Sequence, residues 1–136
     1  MTPIYAQNHD YSGYNVLAVD DIPLNLLLVQ KMLKRFNFKM RTASGGQQAL
    51  DMVAQEKPDL MLLDLMMPGV DGFEVIRQIR ENPETAHIQI IILSALNSQE
   101  DVVKGFNAGA NDFIMKPIIM EKLLTCVVNH LGLVKK

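Results

Sequence analysis

The chain has 136 residues, the size of one ordinary domain, and 49% of them are apolar, which is enough to build a substantial core. A charged fraction of 21% and a net charge of −2 exclude a disordered polyelectrolyte and disfavour direct nucleic-acid binding, since nucleic-acid-binding domains are usually basic. The one cysteine, Cys126, excludes an internal disulfide and is typical of a cytoplasmic protein, so we expect a cytoplasmic location.

The first residues predict neither a membrane anchor nor a folded element. No run of about 18 apolar residues occurs, so no membrane span is expected. The start of the chain lacks the charged residues and apolar block of a signal peptide. Residues 1–13 are polar and aperiodic, which predicts an N-terminal extension before a single domain at residues 14–136.

Strands and helices alternate from residue 14 onward. Short apolar runs predict strands at residues 14–19, 38–43, 59–64, 88–93 and 111–115. Stretches between and after them have helical spacing, at residues 23–37, 45–57, 72–81, 98–109 and 120–131. Strict alternation implies right-handed crossovers, so we expect one doubly wound α/β domain with a five-stranded parallel sheet and helices on both faces.

The buried faces and starts of several helices are also predicted. Apolar residues share one face of the first helix, namely Leu26, Val29, Leu33 and Phe36, and one face of the last, namely Leu124, Val127, Val128 and Leu131. Ser44 with Gln47 predicts a capping box at the second helix. Asp71 predicts the cap of the third helix, and Asn97 or Ser98 the cap of the fourth.

Polar residues stand at the carboxyl ends of four predicted strands. Asp20 and Asp21 follow the first strand, Asp64 ends the third, Ser94 ends the fourth, and Lys116 follows the fifth. Ligands of open parallel sheets bind outside the carboxyl ends of the strands, so we expect these side chains to meet there. Each has an ordinary alternative as a helix cap, a strand-end hydroxyl or a surface lysine. Asp64 fits an ordinary role least, because a charge at a buried edge needs a partner.

Three carboxylates and one ammonium group at one edge point to a specific chemistry. Neighbouring carboxylates raise one another's pKa values, and a divalent cation removes that cost. Mg²⁺ prefers oxygen ligands and retains some of its water. A site of this kind suits Mg²⁺ together with a phosphoryl group, and an aspartate can act as the nucleophile that forms an aspartyl phosphate.

Four motifs carry a family resemblance. They are "VDD" at 19–21, "LLDLMMPGVDG" at 62–72, "IILSA" at 91–95 and "GANDFIMKP" at 109–117. With this spacing the sequence resembles the receiver domain of two-component response regulators, of the chemotaxis-regulator type, from about residue 14 to the C-terminus. The resemblance implies a flavodoxin-like fold with strand order 2-1-3-4-5.

The resemblance also implies a role for each site residue. Asp64 would accept a phosphoryl group from a phosphohistidine on a sensor histidine kinase or a histidine phosphotransfer protein. Asp21 and Asp64 would bind Mg²⁺ directly, Asp20 through water, and Met66 through its backbone carbonyl. Such a protein is a signalling phosphoacceptor rather than an enzyme in the usual sense, although it assists its own phosphorylation.

Further residues would read the phosphoryl group and pass on its presence. By the same resemblance, Lys116 contacts the group, Ser94 moves to bond it, Ala95 leaves room for it, and Phe113 changes rotamer in response. The surface of the fourth helix, fifth strand and fifth helix would then signal to a downstream protein or output domain.

Two positions depart from well-studied members of the family. Met66 and Leu96 occupy positions where polar side chains help to orient the hydrolytic water. Neither side chain can hold that water through a hydrogen bond, so we expect slow self-dephosphorylation.

Other readings of the sequence remain open. A haloacid-dehalogenase-like Mg²⁺-dependent phosphatase also uses an aspartate nucleophile, but it needs a second aspartate at the position of Met66. A flavodoxin would bind FMN phosphate after the first strand, where Asp20 and Asp21 would repel it. A receiver-like interaction module that works without phosphorylation would be free to lose site residues, and none is missing. The sequence also fits either a stand-alone regulator or part of a longer protein.

Several residues outside the predicted site receive ordinary roles. His9, His87 and His130 are interpreted as surface or helix-end residues, and the methionines and Cys126 as packing residues. Phe106 and Ile118 are candidate partner contacts, but core packing is the favoured interpretation for both.

Overall fold

The computed structural model describes residues 11–134, so His9 and most of the predicted extension lie outside the described residues. The strands are β1 (Asn15–Val19), β2 (Lys39–Ala43), β3 (Leu60–Leu63), β4 (Gln89–Ser94) and β5 (Asp112–Met115). The helices are α1 (Pro23–Leu33), α2 (Gly46–Gln55), α3 (Gly72–Glu81), α4 (Gln99–Ala108) and α5 (Met120–Leu131).

All five strands are parallel and form one sheet in the order β2-β1-β3-β4-β5, which confirms the predicted fold. The apolar strands β1, β3 and β4 are central, as expected for strands covered on both faces. The pairing places Val19 beside Leu63 and Ser94 beside Met115. The residues that follow these strands therefore emerge at one edge of the sheet.

The sheet separates two hydrophobic layers. Alternate residues of β3 face opposite sides, with Leu60 and Leu62 in the layer under α1 and α5, and Met61 and Leu63 in the other layer. All four are at most 1% exposed. The strand that leads to Asp64 is thus fixed by packing from both sides.

The first helix ends earlier than predicted. α1 stops at Leu33 and continues as a 3-10 turn over Lys34–Phe36, after which Asn37 adopts a left-handed conformation with φ of 56°. Asparagine tolerates this conformation better than most residues, which explains why the helix ends there. The predicted apolar face is buried at Val29, Leu33 and Phe36, and half-buried at Leu26.

The prediction of a Ser44–Gln47 capping box is wrong. α2 begins after Gly45, whose position carries no side-chain cap, so Gln47 is not in the third helical position. Gln48 holds that position instead, and its Oε1 accepts hydrogen bonds from the Ser44 amide at 2.7 Å and the Ser44 hydroxyl at 2.9 Å. The caps by Asp71 and Ser98 are confirmed, since their side chains accept hydrogen bonds from the Glu74 and Asp101 amides respectively.

The aromatic residues before β1 pack onto the domain. The ring of Tyr11 lies 5.4 Å from that of Phe36 and 5.3 Å from that of Phe38, measured between centroids. The boundary between extension and domain stays a prediction, but Tyr11 packs on the domain although it lies before residue 14. None of the helices within residues 11–134 is long and apolar enough to cross a membrane.

Candidate functional site

The backbone at the carboxyl end of the sheet is held by ladder bonds that continue past the strands. The Asp20 amide donates to the last carbonyl of β2 at 3.1 Å, and the Asp64 amide donates to the last carbonyl of β1 at 3.0 Å. The Lys116 amide donates to the last carbonyl of β4 at 2.8 Å. Three site residues from distant parts of the sequence are therefore fixed relative to one another.

Asp20, Asp21, Asp64 and Lys116 form a cluster that we call the acidic rim. One oxygen from each carboxylate lies within 4.8 Å of the others. Lys116 Nζ lies 3.0 Å from Asp20 Oδ2 and 3.6 Å from Asp64 Oδ2. Asp20 and Asp64 are each 6% exposed, so water screens their charges weakly. One ammonium group therefore faces three carboxylates, which leaves negative charge uncompensated.

Asp20 is oriented by two further donors. Its Oδ1 accepts from the Ile22 amide at 2.9 Å, and its Oδ2 accepts from the Asn25 side chain at 3.1 Å as well as from Lys116. Asp20 does not cap α1, because Ile22 holds the cap position and makes no side-chain cap bond. Asn25 was not predicted as a site residue, although it is the polar side chain within the leucine-rich start of α1.

Asp64 is buried beside two other acids, and both conditions act on its pKa. Burial raises the pKa of the Asp64 carboxyl, and the neighbouring Asp20 and Asp21 charges raise it further. The Lys116 ammonium and the Met66 amide, which donates to Asp64 Oδ1 at 3.3 Å, lower this pKa in part. The raised pKa means that the ionised form of Asp64 is disfavoured, first by burial and then by the neighbouring acids.

The donor set of the acidic rim fits a hard divalent cation. Each of the three acids can offer a carboxylate oxygen, and neither sulfur nor imidazole is among the grouped ligand atoms. Oxygen-only sites with some room for water are the kind that Mg²⁺ occupies. A cation of this type would supply the charge that Lys116 alone does not.

Ser94 and Ala95 lie beside the acidic rim at the end of β4. The Ser94 side chain is fully buried, and its Oγ accepts a hydrogen bond from the Leu96 amide at 3.1 Å. Ala95 is exposed and lines the same cleft as Asp20, Asp64 and Lys116. In this conformation the Ser94 oxygen is therefore hydrogen-bonded within its own loop.

Phe113 connects β5 to α4. Its side chain is half-buried and packs with the hydrophobic layer under α4. The backbone of α4 approaches it at Gly105, where an added Cβ would lie 3.3 Å from the Phe113 ring and 2.8 Å from the end of the Ile92 side chain. A change of the Phe113 rotamer would therefore alter its contact with α4.

The two positions that depart from the family lie near solvent. Met66 follows Asp64 by two residues and is 60% exposed, whereas Leu96 is half-buried. Neither side chain offers a hydrogen-bond donor or a strong acceptor to water.

One of the ordinary roles assigned from the sequence is wrong, and two other residues make hydrogen bonds that were not predicted. Phe106 is 44% exposed, so core packing is wrong for it, whereas Ile118 does pack against the core. Cys126 packs against the core as predicted, and its thiol also donates to Asp112 Oδ2 at 3.2 Å. His130 lies near the end of α5 as predicted, but its ring is hydrogen-bonded rather than free in solvent. His87 is exposed as expected.

Comparisons with known proteins agree with this geometry. The family model described as "Response regulator receiver domain" matches residues 16–128. The response regulator PleD of Caulobacter vibrioides is 43% identical over 103 residues, covering 76% of this chain and 23% of PleD. A probable cyclic di-GMP phosphodiesterase of Vibrio cholerae is 39% identical over 122 residues, covering 90% of this chain and 27% of that protein.

A solved structure supports the same match. The crystal structure of a putative response regulator from Chloroflexus aurantiacus superposes with a TM-score of 0.84 at 30% identity, covering 88% of this chain and 98% of that one. The chain spans about a quarter of the length of the two curated relatives above.

Proposed function

This chain belongs to the response regulator receiver family, and from this premise we propose that it accepts a phosphoryl group on Asp64 in a two-component phosphorelay. The donor would be a phosphohistidine of a sensor histidine kinase or of a histidine phosphotransfer protein. The proposed role is that of a signalling phosphoacceptor rather than of a phosphatase that turns over an external substrate.

The observation that carries this proposal is the composition of the acidic rim. Asp64 is buried beside two further carboxylates, and Lys116 Nζ lies 3.6 Å from its Oδ2. An ordinary ion pair needs one acid for one base, so two extra acids at a buried edge have no structural use that offsets their repulsion. A cation and a phosphoryl group together account for all four residues.

In the transfer step, an Asp64 oxygen attacks phosphorus, the new phosphorus–oxygen bond forms, and the bond to the donor imidazole breaks. Asp20, Asp21, Asp64 and the Met66 carbonyl would hold Mg²⁺. The ion, when bound, supplies positive charge beside the acceptor carboxylate and the transferring oxygens. Lys116 would exchange its contact with Asp20 or Asp64 for a phosphoryl oxygen.

The switch would begin at Ser94. Its oxygen accepts from the Leu96 amide while its hydrogen can still donate, and a rotation of the side chain toward the phosphoryl group would break the Leu96 bond at a cost of about 0.5–1.5 kcal/mol. Ala95 has a side chain small enough to leave room for the group. Phe113 would follow the movement of Ser94 and shift α4, because Gly105 lies against its ring.

The surface of α4, β5 and α5 would carry the signal to a downstream protein or output domain. It already presents exposed apolar side chains, namely Val103, Phe106, Met115, Ile119 and Met120. We propose that this contact is with protein rather than nucleic acid, and that it takes place in the cytoplasm. The net charge of −2 supports a protein partner.

The proposal is tested by measuring Mg²⁺ affinity and phosphorylation together. Calorimetry should show Mg²⁺ binding to the wild type and to Asp51→Asn, which alters an exposed carboxylate on α2, and much weaker binding to Asp21→Asn and Asp64→Asn. Acetyl phosphate should add one phosphoryl group to the wild type in the presence of Mg²⁺, and none to Asp64→Asn.

Three results would contradict the proposal. Unchanged Mg²⁺ affinity in both rim variants would remove the metal site. Failure of the wild type to bind beryllofluoride or to accept phosphate with Mg²⁺ present would favour an interaction module that works without phosphorylation. Continuous release of phosphate from an external phosphomonoester would favour the phosphatase reading.

A further inference from the structure

A second group of metal-ligating side chains lies at the amino-terminal end of the sheet, away from the acidic rim. Asp112 is the first residue of β5, and Cys126 and His130 lie on α5. Gln89, the first residue of β4, completes the surroundings. β4 rises about 16 Å from Gln89 to Ser94, so this group and the acidic rim are at opposite ends of the same strands.

The spacing within this group comes directly from the secondary structure. Cys126 and His130 are four residues apart, which places them on one face of α5, and β5 delivers Asp112 to the same face. Asp112 Oδ2 lies 3.2 Å from Cys126 Sγ and 3.1 Å from His130 Nε2. The three ligand atoms all lie within 4.8 Å of one another.

These distances are close to those of a tetrahedral metal site. Ligand atoms at about 2.0–2.3 Å from Zn²⁺ lie about 3.3–3.6 Å from one another in a tetrahedron. Asp112 Oδ2 would therefore need to move away from Cys126 Sγ and His130 Nε2 by only a few tenths of an ångström. The third pair, Cys126 Sγ and His130 Nε2, lies within 4.8 Å and must come to the same spacing when an ion binds.

The orientation of His130 is compatible with a metal ligand. Its Nδ1 lies 3.0 Å from Gln89 Oε1, and in the tautomer that carries its hydrogen on Nδ1 the ring donates to this oxygen. In the neutral ring this leaves the Nε2 lone pair directed at the Asp112 carboxylate, where either a proton or a cation must lie. Metal-binding histidines are usually fixed in this way, with the second ring nitrogen donating to a neighbouring acceptor.

The group is also accessible from outside. The Asp112 side chain is 43% exposed, whereas that of His130 is 16% exposed. Asp112 and Cys126 line a surface cleft together with Thr125 and Asn129. An ion can enter from this side, and water can occupy the fourth position of a tetrahedron there.

We propose that Asp112, Cys126 and His130 bind a borderline-soft divalent cation of the Zn²⁺ class, at a site separate from the acidic rim. Sulfur, imidazole and carboxylate together favour Zn²⁺ over Mg²⁺, whereas the oxygen-only rim favours Mg²⁺. The ion replaces the thiol proton that Cys126 now donates to Asp112 and the proton that lies between His130 Nε2 and Asp112 in the metal-free protein, so two protons leave as the Zn–S and Zn–N bonds form. Gln89 is a positioning residue that holds the imidazole.

The bound ion would join β5 to the last turn of α5. Both belong to the surface proposed to carry the signal, so occupancy of this site would stiffen one part of that surface without touching Asp64. Because the ion binds the folded arrangement, it should also raise the midpoint of thermal unfolding.

The test is a titration of the full chain with Zn²⁺ and with Co²⁺, in excess Mg²⁺ and a non-chelating phosphine reductant. Excess Mg²⁺ occupies the acidic rim and leaves the second site free. Co²⁺ bound to a thiolate gives a charge-transfer absorption that oxygen ligands do not give. We expect this absorption at one equivalent of Co²⁺, and its loss when Zn²⁺ displaces the cobalt.

Matched variants identify the ligands. Cys126→Ser should abolish the absorption, and both His130→Gln and Asp112→Asn should weaken Zn²⁺ binding at least tenfold. Gln89→Ala should weaken it about ten- to hundredfold through the orientation of His130. His87→Gln, which changes an exposed histidine, and Asp21→Asn, which changes the acidic rim, should bind Zn²⁺ like the wild type.

Three outcomes would overturn the inference. The first is a wild type without the thiolate absorption. The second is Zn²⁺ affinity that persists in Cys126→Ser and His130→Gln after circular dichroism has shown both to be folded. The third is saturation at half an equivalent of cobalt, which would place the ion between two copies of the chain. Failure at this site would leave the proposed phosphorylation untouched, since Asp21→Asn and Cys126→Ser separate the two.

Discussion

Strands β3 and β5 both deliver a charged residue to the acidic rim, yet their surroundings differ sharply. β3 is a central strand whose four residues are at most 1% exposed, and it leads to Asp64. β5 is an edge strand in which Asp112 and Phe113 are half-buried and Met115 is 52% exposed, and it leads to Lys116. The same rim is thus built from a rigid strand and a more exposed one.

This difference separates the reaction from the response. The proposed acceptor needs a fixed geometry, which packing on both faces of β3 provides. The proposed response needs a segment that can move at low cost, and exposed edges with fewer buried contacts are the less stable parts of a domain. Lys116 joins the two because it emerges from β5 and reaches Asp64.

Lys116→Ala tests that junction and has the largest expected effect. A shift of the α4-β5-α5 surface from about 1:99 to 99:1 needs about 5.5 kcal/mol of differential stabilisation, and Lys116 is one of few groups able to bind a phosphoryl oxygen directly. We expect the variant to accept phosphate but not to switch. Amide chemical shifts of α4 and β5, with and without beryllofluoride, measure the switch.

The control for this experiment is Lys122→Ala, which removes an exposed lysine from α5 without approaching the rim. It should respond to beryllofluoride like the wild type. A complete wild-type response in Lys116→Ala would show that the signal passes to β5 by another route.

The contrast in rigidity is tested by truncation in each strand. Leu62→Ala, in the middle of β3, should lower the free energy of unfolding by about 2–5 kcal/mol through lost burial and a residual cavity. Met115→Ala should change it by no more than about 0.5 kcal/mol, because its side chain is largely exposed. Urea unfolding measures both, and equal losses would contradict the contrast between the strands.

The lifetime of the phosphoryl group is set, in our proposal, by residues that follow the central strands. Met66 and Leu96 cannot hold a water in line with the phosphorus–oxygen bond, so the wild type should lose phosphate slowly. Met66→Asn combined with Leu96→Glu should release it about ten- to a hundredfold faster, which corresponds to about 1.4–2.8 kcal/mol of barrier.

Phosphate release after removal of acetyl phosphate measures this rate, and the two single variants serve as controls. If both side chains hold one water, the gain should be largest in the double variant. Decay of the wild type within seconds would mean that these two positions do not control the lifetime.

The strand order and the convergence of Asp20, Asp64 and Lys116 could both be predicted from the sequence. Alternation of the elements and the positions of strand ends are enough to place charged residues at one edge. The order of the strands was predicted from the family motifs. The sequence of an apolar central strand does not indicate which strands pair with it. Ends of helices were less predictable, as at Gln48, where a shift of one residue changed the capping partner.

Contacts between side chains from different helices and strands could not be predicted from the sequence. Asn25 reaches Asp20 across the start of α1, and His130 meets Asp112 only because α5 packs beside β5. Each of these residues is an ordinary polar residue in its own segment. Their roles depend on distances that arise only after the helices have packed onto the sheet.

The smallest expected effect concerns the electrostatic strain on Asp64 without metal. Burial and the neighbouring acids raise the pKa of this carboxyl above its ordinary value of about 3.9. The folded state therefore binds the proton more tightly than the unfolded chain does. Between the ordinary pKa and the raised one, the stability of the wild type should fall as pH rises, because ionisation is less favourable in the folded protein.

Asp64→Asn should lack this decline and be at least as stable as the wild type at neutral pH. Urea unfolding across this pH range in a chelator measures the difference, and addition of Mg²⁺ should stabilise the wild type alone. Parallel pH profiles for the two proteins would mean that Lys116 already balances the charge of Asp64.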